Sequence, residues 1–165
     1  PDPRGETLQV DGYNILFSLV NHLAGRPLFI ANDGFLRDAG SCRRNPDNPD
    51  LFDQALTGIT GYLHALQPGE VIIYLDRSIA GFHRHTSALK KKMAGFKGRI
   101  SPVPSADRAL LGAGNGIIVT SDTGIIDQSP LMITDLLGVH RVTGSLPVLP
   151  FSPEALLNLQ TVLHG

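Results

Sequence analysis

Three aspartates stand at the ends of apolar runs, where short carboxylates could hold a divalent cation. Asp11 ends LQVD, Asp76 ends VIIYLD and Asp122 follows IIVTS. The carboxyl ends of parallel strands line one edge of a sheet, so we expect these side chains to lie near one another. Carboxylates at that distance repel unless a cation neutralises them, and hydrated Mg²⁺ or Mn²⁺ is the natural occupant. The pattern therefore predicts that the three aspartates are both metal ligands and catalytic residues.

Other polar residues are expected at the same edge. Asn14 lies in the first turn of a predicted helix after Asp11, and Asp127 follows Asp122 across a short loop. Asp107 lies in the first turn of another predicted helix, where the helix dipole alone would favour an acid. We add Asp107 and Asp127 to the predicted metal ligands, and Asn14 and Asp127 to the predicted catalytic residues. A second group of candidates comprises Asp33, Asp38, Thr120 and Ser121.

Residues 77–106 form a positive segment, with no acidic side chain and seven of the 14 Lys and Arg residues of the chain. The formal net charge of -1 thus conceals a positive face beside an acidic pocket. Such a pairing suits a polyanion whose phosphate is brought to a metal ion. The segment has little aromatic interleaving, so stacking on unpaired bases is not evident there. The residues predicted to contact nucleic acid are Arg77, Arg84, Lys90, Lys91, Lys92 and, outside the segment, Arg37.

Strands alternate with helices along the chain, which is typical of an α/β domain with a mainly parallel central sheet. Apolar runs predict strands at residues 8–11, 27–31, 71–76, 99–103, 116–121 and 139–142. Helical spacing predicts helices at residues 13–24, 51–66, 87–96, 105–113, 131–137 and 153–163. The turn Asn32-Asp33-Gly34 predicts an added β-hairpin near residues 27–38. We therefore expect a three-layer sandwich with one added hairpin.

The length of 165 residues favours a single domain with its own core. No apolar run reaches the roughly 18–20 residues of a membrane span, and no signal peptide is recognisable. The single cysteine, Cys42, excludes an internal disulfide. We expect a cytoplasmic protein. Because the chain begins with Pro1, we also expect a preceding N-terminal region. The hydrophobic tail at residues 146–165 is expected to pack on this domain, on a second copy of the chain or on another protein.

The segments VDGYN, VIIYLD, SADRALL and VTSD, in this order, resemble the acidic framework of the PIN-like superfamily, especially its NYN-type branch. In that branch an Asp-Gly-x-Asn follows strand one, an Asp ends a middle strand, an Ala-Asp opens a helix and a Ser/Thr-x-Asp ends a later strand. The resemblance covers residues 8–127 and implies a PIN-like fold and a Mg²⁺- or Mn²⁺-dependent nuclease acting on RNA. The corresponding positions are Asp11, Asn14, Asp76, Asp107 and Asp122.

Two features depart from the NYN pattern. The pattern usually has another Asp two residues after the last one, where this chain has Gly124, so Asp127 would have to replace it. The predicted hairpin is not part of the general PIN pattern either. The segments GRPLFIANDGFLRD and YLDRSIAG are similar to an uncharacterised prokaryotic family, a domain of unknown function, and this second resemblance implies no activity.

Three functions are compatible with these residues. The leading interpretation is a metal-dependent ribonuclease, in which the ion positions and activates water for in-line attack on a phosphodiester. A phosphatase of the haloacid-dehalogenase type fits the spacing of Asp122 and Asp127, but its acid/base Asp would have to stand where this chain has Tyr13. A non-catalytic RNA-binding or regulatory module would keep the fold and some of the acids. Metal dependence distinguishes the first function from the third.

Overall fold

The computed structural model describes residues 2–26, 28–38, 48–135 and 157–158, the last two and residue 28 by their backbone alone. Its strands and helices follow in the order β1 (Thr7–Asp11), α1 (Gly12–Leu23), β2 (Leu28–Ile30), β3 (Leu36–Asp38), α2 (Pro49–Leu66), β4 (Glu70–Asp76), α3 (Phe82–Lys92), β5 (Gly98–Val103), α4 (Ala106–Leu111), β6 (Ile117–Val119), α5 (Thr123–Gln128), β7 (Met132–Thr134) and β8 (Leu157–Asn158). The predicted strand at 139–142 lies outside the described residues. None of the helices described is both long and apolar enough for a membrane span.

Five strands form one parallel sheet in the order β5-β4-β1-β6-β7. The chain first moves outward from β1 to β4 and β5, then returns to the other side of β1 for β6 and β7. The winding therefore reverses between β1 and β6. Continuous apolar runs such as the one in β4 suit this sheet, because helices cover both of its faces. The predicted α/β class with a parallel central sheet is confirmed.

Two separate apolar cores lie on the two faces of the sheet. Leu8 and Val10 of β1 pack in the larger core together with α1, α2 and α3. Ile118 of β6 packs in the smaller core with Leu110 of α4 and Ile125 of α5. Successive residues of a strand point to opposite faces, so strands with apolar residues throughout can supply both cores. This arrangement is that of a three-layer sandwich.

A second, smaller sheet contains the predicted hairpin, in the order β3-β2-β8. The strands β2 and β3 are antiparallel, and Asp33 Oδ1 accepts a hydrogen bond from the Phe35 amide in the turn between them. Gly34 adopts a positive φ of 83°, a conformation that glycine reaches without strain. The third strand, β8, pairs in parallel with β2. The hairpin near residues 27–38 is thus confirmed.

Three predicted helices need correction. The helix at 153–163 is wrong for residues 157–158, which form β8, because they pair with the edge of β2, a long-range contact that periodicity cannot report. The helix predicted at 131–137 is wrong for Met132–Thr134, which form β7. This apolar run is so short that its pattern fits a strand as well as a helix. The helix predicted at 87–96 is α3, which begins earlier, at Phe82, and ends at Lys92. The rest of the predicted helix at 153–163 lies outside the described residues.

Gly12→Ala is expected to destabilise the protein by about 1–3 kcal/mol, the usual cost of overpacking. A Cβ there would lie 2.6 Å from Leu75 Cδ2 and 2.7 Å from the Tyr74 carbonyl oxygen. Gly58→Ala in α2 is the matched control, because its Cβ would meet only Leu19 Cδ1, at 3.7 Å. That variant should gain up to about 1 kcal/mol from helix propensity. Urea unfolding measures both, and equal stabilities would contradict the tight packing of α1 against β4.

Candidate functional site

The site lies at the carboxyl edge of the central sheet, where the winding reverses between β1 and β6. In open α/β sheets this is the place where ligands bind, because the connections on either side of the reversal separate and leave a crevice. Here the crevice is a cavity of about 590 Å³. The structure brings the predicted strand-end aspartates together around it. The acidic residues that line the cavity are Asp11, Asp38, Asp76, Asp107 and Asp122.

Asp11 is the buried acid of this set, with 4% of its surface exposed. Burial raises the pKa of Asp11 to about 7, because the charged form loses its contact with water. A hydrogen bond of 2.9 Å from the Thr120 hydroxyl to Asp11 Oδ2 acts in the opposite direction. The negative charges of Asp107 and Asp122 raise the pKa of Asp11 further. Near neutral pH this carboxylate therefore favours a proton or a cation.

Asn14 holds the segment that follows β6. Its Oδ1 accepts hydrogen bonds from the Ser121 amide at 2.9 Å and from the Ser121 hydroxyl at 3.0 Å. Thr120 Oγ1 accepts a bond from the Asp122 amide at 3.1 Å in the same segment. Asn14, Thr120 and Ser121 thus lie at the predicted edge. Thr120 is bonded to the Asp11 carboxylate and to the Asp122 amide, and Asn14 holds Ser121 between them.

Asp122 and Asp127 have different places, although the sequence predicts both for the site. Asp122 Oδ1 accepts hydrogen bonds from the Gly124 amide at 2.8 Å and the Ile125 amide at 3.2 Å, so Asp122 caps α5. Its Oδ2 has no hydrogen bond among the described residues. Asp127 is exposed and is not among the cavity-lining residues, because α5 carries it onward to solvent. The structure therefore does not bring Asp127 to the site.

Asp76 and Asp107 are joined through the start of α4. Asp76 Oδ1 accepts a hydrogen bond of 3.0 Å from the Ala106 amide, which fixes the first residue of that helix. The Ser105 hydroxyl oxygen caps the same helix by accepting a bond from the Arg108 amide at 3.3 Å. Asp107 follows in the first turn, exposed to solvent and lining the cavity. The strand-end acid thus positions the helix that carries the second acid.

The hairpin brings Arg37 to the cavity, where it is the one basic side chain among the described lining residues. Its Nη1 and Nη2 donate to the two Asp33 carboxylate oxygens at 2.7 and 2.5 Å, and this pairing lowers the pKa of Asp33. Nε donates to the Ser121 carbonyl oxygen at 3.1 Å, and Nη2 also donates to Thr123 Oγ1 at 3.0 Å. The guanidinium therefore bridges the hairpin and the segment after β6, and Asp33 serves to hold it.

Asp38 also comes to the cavity from the hairpin. Its carboxylate accepts hydrogen bonds from the Ser18 hydroxyl at 2.9 Å and from Asn21 Nδ2 at 3.0 Å, both on α1. These bonds attach β3 to the helix. Asp38, one of the second group of candidates, thus lines the acidic cavity.

Asp135 is an acid that the sequence interpretation missed. It directly follows β7, is 5% exposed, and accepts a hydrogen bond from the Leu36 amide of the hairpin. The signal was present, because the run MIT followed by Asp repeats the pattern of the other strand ends. The predicted helix at 131–137 concealed it. Asp135 does not line the cavity; its carboxylate attaches the hairpin to the central sheet.

The predicted basic residues of the segment 77–106 are not among the cavity-lining residues. The three lysines occupy the last turn of α3, which connects the parallel strands β4 and β5 and so runs back towards the amino edge of the sheet. They lie about 12–15 Å along the helix from its start. Lys92 Nζ is bonded to Thr57 Oγ1 at 3.0 Å and lies 3.4 Å from Asp53. The exposed members of this set are Arg77, Arg84, Lys90, Lys91 and Lys92.

The cavity is lined by carboxylate, amide and hydroxyl groups, whose oxygen atoms are the type of ligand that a hard cation prefers. Mg²⁺ prefers carboxylates and water, and at sites for phosphates one or two carboxylates usually suffice. Across the described part of the chain, no group of three or more His, Cys, Asp or Glu side chains is arranged to hold a metal ion. A cation here would therefore use one or two carboxylates, water and the ligand itself. Asp11 is the first candidate, and the charges of Asp107 and Asp122 both act on it, so either of these two could supply the second carboxylate.

The fold and the site together define a doubly wound α/β protein with an acidic cavity where the winding reverses. The chain belongs to the family described as Domain of unknown function (DUF5616), which it matches over residues 2–137. It is also 24% identical, over 139 residues, to a Methanocaldococcus jannaschii protein described as "Uncharacterized protein MJ0935". That alignment covers 82% of this chain and 65% of the relative, slightly less than two thirds of its length. No solved structure matches the chain.

Proposed function

We propose that this protein is a Mg²⁺- or Mn²⁺-dependent nuclease and that its substrate is RNA. The observation that carries the proposal is the buried Asp11 in a cavity that Asp76, Asp107 and Asp122 also line. A carboxylate in such surroundings is costly to ionise, and a divalent cation would replace the proton and relieve the repulsion. The resemblance of VDGYN, VIIYLD, SADRALL and VTSD to the NYN-type branch of the PIN-like superfamily supports the same reaction and RNA as the substrate.

The residues of the cavity would have distinct roles. Asp11 and Asp122 would hold the ion, which supplies Lewis-acid activation of water and of the phosphodiester when bound. Arg37 would offer its positive charge to a phosphate, because Asp33 and Ser121 already fix the plane of its guanidinium. Asn14 would keep the segment after β6 in place. The exposed cations of α3 would contribute long-range attraction of the polyanion and no direct contact in the cavity.

Two observations favour the nuclease over a phosphatase of the haloacid-dehalogenase type. The position at which that chemistry needs an acid/base Asp holds Tyr13, whose hydroxyl lies 3.1 Å from His85 Nδ1. Asp127, which would complete the last acidic motif, does not line the cavity. A non-catalytic RNA-binding module remains the main alternative, and it differs from the nuclease in its indifference to metal.

The deciding experiment combines calorimetric titration of Mn²⁺ with an assay of labelled RNA cleavage. We expect Mn²⁺ to bind the wild-type protein, more tightly with RNA present, and cleavage to require Mn²⁺ or Mg²⁺ and to stop in EDTA. Ca²⁺ is the control cation, because it takes the same oxygen ligands with looser geometry. A folded protein that binds no Mn²⁺, with or without RNA, would refute the nuclease proposal. RNA binding that is equal in Mn²⁺ and EDTA, without cleavage, would favour the non-catalytic module.

A further inference from the structure

A row of aromatic rings runs from the core to the acidic cavity. Phe52 of α2 stacks on His85 of α3 with ring centroids 4.2 Å apart, and the Tyr13 hydroxyl is hydrogen-bonded to His85 Nδ1. Tyr13 in turn stacks on Phe17, with centroids 5.2 Å and ring planes 23° apart. Phe52, His85 and Tyr13 are buried, whereas Phe17 is only partly buried. Phe17 lines the cavity, so the row ends there in an accessible ring.

The residues beside Phe17 give this part of the cavity a mixed character. Tyr13, Phe17 and Asn21 are spaced four residues apart on α1, so they share one helix face, and all three line the cavity. Ile79, from the segment after β4, adds an apolar side chain to the lining, and Ser18 adds a hydroxyl. An aromatic ring with polar groups around it suits a flat heterocycle with polar edges.

We propose that Phe17 is the stacking platform of a nucleobase subsite, which takes one unpaired base of a single-stranded RNA. The adjoining phosphate would meet the cation that the carboxylates would hold. The phosphate part of this inference rests on the proposed nuclease function. The base part rests on different side chains, those of Phe17, Tyr13 and Ile79. Stacking on an aromatic ring accepts any base, because every base has a π-face, so the subsite would select for single strands and not for sequence.

The size and rigidity of the cavity support a single base as the occupant. A volume of about 590 Å³ is in the range of sites for one small molecule, and a base inside a duplex has both faces covered by its neighbours. Phe52 stacks on His85, and His85 is hydrogen-bonded to the Tyr13 hydroxyl. These contacts fix the Tyr13 ring, on which Phe17 stacks. A platform ordered in advance loses little freedom when a base stacks on it, so binding is stronger than on a mobile side chain.

The test measures binding of a single-stranded RNA octamer that contains 2-aminopurine, whose fluorescence is quenched by stacking. The measurement is made in EDTA, so that neither metal binding nor cleavage contributes. We expect the wild type to bind and quench the probe, and Phe17→Leu, which keeps an apolar side chain but no ring, to bind about 10- to 100-fold more weakly. Phe17→Tyr, which keeps the ring, should bind within about threefold of the wild type. Circular dichroism and thermal unfolding verify that the variants are folded.

The outcomes separate this inference from the nuclease proposal. Single-stranded RNA binding that is equal in the wild type and in Phe17→Leu, or that is absent from the wild type, overturns the subsite. The same octamer in a duplex should bind equally to the wild type and to Phe17→Leu. If Phe17→Leu weakened binding of the duplex as much as binding of the single strand, selection for unpaired bases would be contradicted. Phe17-dependent binding without Mn²⁺-dependent cleavage would leave the subsite standing and the nuclease refuted. Mn²⁺-dependent cleavage that Phe17→Leu does not alter would support the nuclease proposal and overturn the subsite.

Discussion

Asp122→Asn is expected to reduce Mn²⁺-dependent RNA cleavage by about 100-fold or more, whereas Asp127→Asn should leave it within about twofold of the wild type. The two acids stand five residues apart in one segment, but only Asp122 lines the cavity. Replacing a carboxylate oxygen by an amide removes the negative charge that would attract the cation. The measurement is kcat/KM on labelled RNA, with calorimetric titration of Mn²⁺ on both variants.

Structural damage is a poor alternative explanation for this expected loss. Asn is as good a helix N-cap as Asp, so Asp122→Asn should keep the bonds to the Gly124 and Ile125 amides and change stability by less than about 1 kcal/mol. Asp127→Asn controls for the general loss of one negative charge from α5. Equal losses in the two variants would contradict the assignment of the site to the cavity. A larger loss in Asp127→Asn would restore the role that the sequence predicts for Asp127.

Asp11→Asn is expected to remove the loss of stability that the Asp11 carboxyl causes as the pH rises between about pH 4 and 7 in metal-free protein. Burial raises the pKa of Asp11 from 3.8 to about 7 in the folded state. The folded protein therefore binds a proton more tightly than the unfolded chain does, and stability is lost as the pH rises from 4 through 7. The difference between the pKa of Asp11 in the folded and in the unfolded protein corresponds to at most about 4 kcal/mol of unfolding free energy. Asn stays neutral throughout and keeps an oxygen for the Thr120 hydroxyl.

Urea unfolding in EDTA at pH 5 and pH 8 tests this expectation. The free energy of unfolding of the wild type should fall between these values relative to that of Asp11→Asn, and the variant should be the more stable protein at pH 8. The comparison isolates Asp11, because His22 and His85, whose pKa values burial lowers, act in the opposite direction and equally in both proteins. Added Mn²⁺ should stabilise the wild type at pH 8 and have little effect on Asp11→Asn, because a ligand that binds only the folded state shifts the equilibrium towards it. Parallel pH profiles for the two proteins would contradict an Asp11 carboxyl that is neutral when buried.

Local pattern was sufficient to predict the central part of the site. Asp11, Asp76 and Asp122 end apolar runs, and in a parallel sheet every such end faces one edge, so a rule about sheets places them together. The α/β class follows from the same alternation of strands and helices. Neither inference needs a contact between distant residues, so both follow from the sequence alone.

Positions that depend on distant pairing could not be predicted in the same way. β7 is recognisable as a strand only beside β6, and the helix that the pattern predicts at 131–137 hides the strand-end position of Asp135. The place of Asp127 depends on α5, a helix of six residues with too few turns to show a periodic pattern. Phe17 attracts no notice in the sequence, because the ring row that gives it a role joins α1, α2 and α3 in space.

The pairing of β2 with β8 determines which fragments of this protein can be expressed without an open strand edge. The family match ends at residue 137, whereas the strand that pairs with the second side of β2 comes from residues 157–158. A fragment cut at the family boundary would leave the amide and carbonyl groups of that side of β2 open. Open strand edges recruit other chains and promote aggregation. Since β2 pairs with the strand that carries Arg37 and Asp38, self-association there would occur beside the cavity.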